Sequence, residues 1–176
     1  MAHGIVNTTA MACTNVDALN LVGLFTADVD NGTLVTLKKM RQATNGTITG
    51  YEYDVELAAA NATGVYIVAT PEVGKTLEQQ VHDDIRTFYN VKGLPFDIKG
   101  FIAGVDFVEV DALAFANSTL PTAANVGQFC GVAANGKFAA PAASVASGAS
   151  FRVEGLHSIT CGKDEVATVI LRCVRN

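Results

Sequence analysis

The chain contains no tryptophan, only four prolines, four cysteines and three histidines, and little charge for its size. Charged residues are 16% of its 176 positions, against roughly 25% in an average soluble domain. The 12 basic and 17 acidic side chains leave a net charge of −5, so there is no basic stripe to displace phosphate counterions and no expectation of direct nucleic-acid binding. No apolar run approaches the ~18 residues of a membrane span. The hydrophobic 49% instead resides largely in small residues, with 26 alanines and, beside them, 17 threonines. Cys13, Cys130, Cys161 and Cys173 form no CxxC pair and have no histidine at metal-ligand spacing, so no metal or cofactor is expected. They read as buried reduced thiols, with a bridge between Cys161 and Cys173 on neighbouring strands as the alternative. The N-terminus lacks a basic segment followed by an apolar one, so no secretory signal is visible. The five N-x-S/T sequons at Asn7, Asn31, Asn45, Asn61 and Asn117 therefore mark loops rather than glycans. A chain this apolar and this poor in charge is expected to cover part of its surface with other chains.

What is present reads as mainly β. Residues 1–18 are small and polar without a period, an extended arm expected to lie along another surface. Residues 19–176 read as one β-rich domain, a compact β-barrel or β-sandwich. Leu19–Thr26 and Thr33–Leu37 are strand-like and flank Asn31-Gly32, a turn signal repeated at Asn45-Gly46 and Asn135-Gly136. Gly64–Ala69 is a β-branched and aromatic run, expected as a buried strand. Further strands are expected around residues 48–57, 106–111, 126–132, 151–159 and 166–174, with a surface loop over Ala139–Ala149. One short helix is expected where Leu77, Val81, Ile85 and Phe88 share a face, with Thr76 and Gln79 as a capping box; a long loop is the alternative. Between Gly100 and Ser150 only Asp106, Glu109, Asp111 and Lys137 carry charge.

Catalytic motifs are fragmentary. Val73-Gly74-Lys75-Thr76 ends like a phosphate-binding loop, but Ala69 stands where the first glycine belongs. His82-Asp83-Asp84 reads as a solvated helix face. On a strand, Glu109 and Asp111 share one face and Asp106 the other, so this trio reads as polar outer surface rather than a metal or glycosidase cluster. Asp28-Val29-Asp30-Asn31-Gly32 is superficially a calcium loop. Thr33 and Lys39 occupy its required glycine and glutamate positions, so a turn explains it. No G-x-S-x-G nucleophile elbow exists, and no enzyme activity is expected.

The order of features carries a resemblance. Ala27–Leu37 resembles the opening hairpin of small structural proteins of tailed phages, whose genes usually lie beside the major capsid gene. Val65-Tyr66-Ile67-Val68-Ala69-Thr70-Pro71-Glu72, Arg86–Asn90, Gly104–Val110, Asn125-Val126-Gly127 and Val166–Leu171 continue the likeness over most of residues 20–175. The resemblance implies a capsid decoration (cement) protein on the virion exterior, made in the host cytoplasm. Its expected partners are the major capsid protein and copies of itself, as a trimer or other homo-oligomer. The arm would supply the contact, with Ile5, Val6, Asn7, Met11, Val16 and Leu19 as candidate interface residues. Another virion component, such as a tail-tube or head-fibre subunit, is the first alternative. A small-ligand-binding β-barrel lined by Tyr51, Tyr53 and Tyr66 is the second.

Overall fold

A computed structural model describes residues 2–71 and 85–176. Eleven strands are present among them: β1 (Val6–Asn7), β2 (Asn20–Leu24), β3 (Leu34–Gln42), β4 (Ile48–Leu57), β5 (Tyr66–Val68), β6 (Phe96–Gly100), β7 (Phe107–Val110), β8 (Phe129–Ala133), β9 (Lys137–Phe138), β10 (Ser150–Cys161) and β11 (Asp164–Arg175). The mainly β expectation holds. Five of the strands close a barrel in the order β2-β4-β3-β5-β6, and six form a sheet in the order β1-β7-β11-β10-β8-β9.

The barrel is filled by its own side chains. Val35, Val68 and Ile98 are fully buried in it, packed with Val29, Val55 and Phe96. Their neighbours Leu34 and Ile67, on the opposite faces of β3 and β5, belong instead to the larger core beneath the six-stranded sheet. Burial on both faces is why residues 64–69 read as an unbroken apolar run, since a strand with one wet face would alternate. The larger core also holds an aromatic chain, Phe101–Phe151–Phe138–Phe115, with centroid spacings of 5.0, 5.0 and 5.7 Å.

The turn signals are placed as expected, with one rearrangement. Asn135 and Gly136 both take positive φ (60° and 69°) and join β8 to its antiparallel partner β9, as Asn-Gly hairpins require. Asn31-Gly32 also turns, Gly32 having φ 83°, but β2 and β3 are not hydrogen-bonded partners. Strand β4 lies between them, pairing parallel with β2 and antiparallel with β3. The opening hairpin of the resemblance is therefore absent. The turn is instead tied to the end of β5: the Asn31 amide donates to Thr70 O and its Oδ1 accepts from Thr70 N, both at 3.0 Å, while Gly32 N donates to Val68 O at 2.8 Å.

The segment carrying most of the expected helix, residues 77–84, lies outside the described residues; Ile85–Thr87 form a single 3-10 turn. Residues 2–18 do lie along a surface, but it is this chain's own. Strand β1 pairs antiparallel with β7, Val6 opposite Val110 and Asn7 opposite Glu109. Ile5, Met11 and Cys13 are buried. The Cys161–Cys173 bridge is excluded by register. Cys173 faces Phe151 and Cys161 faces Asp164, at opposite ends of the β10–β11 hairpin. All four cysteines are buried thiols, and burial pushes those of Cys130 and Cys173 up to about 12.

Candidate functional site

A concavity of about 450 Å3 opens at one end of the barrel between His3, Asp28, Val29, Asp30, Thr33, Leu57, Tyr89, Asn135 and Lys137. The arm supplies its histidine. Gly4 packs so closely that a Cβ there would come within 2.5 Å of Asn31 O, and His3 N donates to Arg86 O at 2.7 Å. The imidazole is thereby held with Nδ1 2.7 Å from Asp30 Oδ1 and stacked on Tyr89, ring centroids 4.7 Å apart at 25°. Asp28 uses Oδ1 to accept from Lys92 N at 2.8 Å, and the Lys137 ammonium donates to Leu113 O at 2.7 Å. The histidine–aspartate pair is oriented, and among the described residues the lining has no cysteine or serine, its hydroxyls being those of Thr33 and Tyr89. The arrangement is a polar recess with aromatic and apolar walls. Sequence reading missed it because His3 and Tyr89 are 86 positions apart and meet only through the docked arm.

A second polar cluster corrects the reading of the acidic strand. Asp106, Glu109 and Asp111 are 0%, 7% and 5% exposed, so none of them contributes to an outer polar face. Asp106 staples the arm to the β6–β7 loop, accepting from Ala12 N and Ile102 N at 2.6 Å each. Asp111 accepts from Leu113 N at 3.1 Å to cap the 3-10 turn Ala112–Ala114. Burial raises its pKa against the opposing pull of backbone donors from Ile5, Leu113 and Ala114. Glu109 accepts from Thr168 Oγ1 at 2.5 Å and Asn7 Nδ2 at 3.1 Å, and lies 2.6 Å from His157 Nδ1. Burial pushes this carboxyl upward, but the bonds from Thr168, His157 and Asn7 outweigh it and leave the pKa below its ordinary value. Strand parity put Glu109 and Asp111 on one face and Asp106 on the other, but β7 spans only Phe107–Val110, so the parity does not extend to Asp106 or Asp111. It missed that β1 covers one side of β7 and β11 the other.

The remaining sequence candidates scatter. Of the six proposed interface residues, Ile5 and Met11 are buried within this chain and so are withdrawn from outside contact. Val6 and Asn7 pair with β7, Leu19 packs against the larger core, and Val16 is 42% exposed. Tyr51 is 87% exposed, whereas Tyr53 and Tyr66 pack on the barrel core, so the three tyrosines do not line a common site. Val73–Thr76 and His82–Asp84 lie outside the described residues. Among the described residues, no three histidine, cysteine or carboxylate side chains are grouped to hold a metal ion, and no helix is long and apolar enough to cross a membrane. The chain matches no known protein family, no curated protein and no solved structure.

Proposed function

We propose that this chain is a structural subunit of a phage particle. It would bind the outside of the assembled head and stabilise it through contacts with the major capsid protein and with other copies of itself. The observation that carries the reading is the distribution of charge after Gly100. Three of the four charged side chains between residues 100 and 150 are buried carboxylates, which leaves the half-buried Lys137 as the one other charge in that stretch. Ile102, Val105 and Val126 are meanwhile 37%, 56% and 47% exposed there. Such a face loses little desolvation energy when covered, and apolar burial at ~25 cal/mol per Å2 drives the contact. Many copies on a symmetric shell raise effective concentration, so modest individual contacts give a stable lattice. The role requires no bond-making chemistry.

The test is particle reconstitution. Purified protein added to undecorated heads is expected to co-sediment with them and to raise their resistance to heat. Heads that bind none of it, or that gain no heat resistance when saturated, would overturn the reading.

A further inference from the structure

The β3–β4 hairpin does not end where the barrel does. Its inner ends, Leu34 and Val55, are buried, but residues 41–49 are all exposed. From Gln42 to Tyr51 the ribbon has ten residues without a charge, including Thr44, Thr47, Ile48 and Thr49. Natural edge strands are normally blunted by charge, proline or cover, and the β4 side of this tip has none of these. The pairing is also broken. Met40 faces Tyr53 and Gln42 faces Ile48, so Arg41 alone stands opposite four residues, Thr49–Glu52. The bulge lifts Tyr51 to 87% exposure and leaves Ile48 at 50%. It also folds the Glu52 carboxylate over Gly50, where Oε2 is buried without a hydrogen-bond partner. Tyrosine and arginine are among the side chains most enriched at the energetic centres of protein contacts.

Charge indicates what the ribbon meets. Lys38, Lys39 and Arg41 stand on its β3 strand, and among the described residues Lys38 alone of the three has an ion pair, with Glu56 at 2.8 Å. Without these three cations the chain has nine basic and 17 acidic residues, a net −8. The complementary recess is the concavity of His3, Asp28, Asp30 and Tyr89. Its two carboxylates and stacked rings suit a guanidinium, and Val29 and Leu57 suit an apolar or aromatic body. Lys137 also lines it, with its ammonium turned to Leu113 O. Both features belong to one hairpin but lie at opposite ends of it, since Thr33 and Leu57 border the recess while Gln42 and Ile48 form the tip. Eight residue steps of about 3.3 Å each separate Leu34 from Gln42, on the order of 25 Å. A ribbon cannot reach its own recess.

We propose that the β3–β4 ribbon of one copy docks through Arg41 and Tyr51 into the His3–Asp28–Asp30–Tyr89 recess of the next, so that the chain associates head to tail. The two faces differ, so the contact is heterologous and generates rings if the rotation closes and chains if it does not. This deepens the assembly reading by naming both faces of the self-contact, and rests on it only in taking the chain to be an assembly subunit.

Light scattering on purified protein tests it in the absence of any shell. Wild type is expected to exceed the monomer mass at low ionic strength and to dissociate as salt screens the contact. Arg41→Glu and Asp28→Arg are each expected to be monomeric, and Tyr51→Ala to be weakened without any change in charge. Mixing Arg41→Glu with Asp28→Arg gives one wild-type ribbon–recess pairing and one charge-swapped pairing, so the mixture is expected to regain the assembly that each variant lacks alone. Retained melting temperatures show that the variants fold. A wild type that stays monomeric at low salt, variants that assemble as wild type does, or a mixture that remains monomeric would each overturn the proposal. Head binding without self-association sinks this inference alone; self-association without head binding sinks only the decoration reading.

Discussion

At the scale of single residues, Glu109 shows how a carboxylate becomes structural. It is buried between the arm and the sheet, and its three partners come from β1, β10 and β11. Removing one partner of a buried hydrogen-bonded group costs about 1–3 kcal/mol, so Glu109→Ala is expected to lower unfolding free energy by that order in a denaturant titration. The pH dependence has a definite sign. Glu109 has a depressed folded pKa, so its contribution is present above the ordinary value of 4.5 and is lost as pH falls through the lower folded value. Asp111 is raised from 3.8; its contribution is present below that value and is lost as pH rises through the raised one. The stability gap between wild type and Glu109→Gln is therefore expected to shrink on acidification below 4.5. A gap that stays constant over that range would refute the assignment. None of this was legible beforehand, because alternation along a strand assigns residues to faces without saying what covers each face.

Among the elements, the arm and the ribbon make opposite predictions. The arm is part of the fold: Ile5 and Met11 are 4% and 2% exposed, and fully burying an apolar side chain of that size contributes ~1.5–3 kcal/mol. Deleting residues 1–13 removes both, together with the strand that pairs with β7, so the melting temperature is expected to fall steeply; a truncated protein that melts like wild type would show the arm to be dispensable. Among the described residues, the ribbon beyond Leu37 and Tyr53 packs against neither core. Replacing residues 42–49 by a two-residue Asn-Gly turn is expected to change stability by no more than about 0.5 kcal/mol, read from the midpoint of thermal or denaturant unfolding. Strands β10 and β11 were legible as strands around 151–159 and 166–174, and their eleven residue pairs across the two-residue Gly162-Lys163 loop fix the register locally. The opening hairpin was misread for a related reason. Asn31-Gly32 specifies a turn, but which strand the chain meets after turning depends on β4, which comes later in sequence.

For the molecule as a whole, barrel and sheet share one core. Leu34 and Ile67 of the barrel belong to the same cluster as Phe138, Phe151 and Leu171 of the sheet. The two layers are therefore expected to unfold together, with calorimetric and van't Hoff enthalpies that agree; two resolved transitions would show the layers to be independent. The scarcity of charge that marks the sequence is sharpened by the fold, because three of the four charges between residues 100 and 150 are interior.

The amino-acid sequence by itself determined the β class, the turn sites and the buried run at residues 64–69, because backbone preference and side-chain period act within a few residues. Only the tertiary structure decided that the arm docks on its own domain, that Asp106, Glu109 and Asp111 are buried, and that His3 meets Asp30 and Tyr89. Those outcomes depend on which distant segments compete for the same hydrogen bonds and apolar surface, and that competition is resolved only when the whole chain has packed.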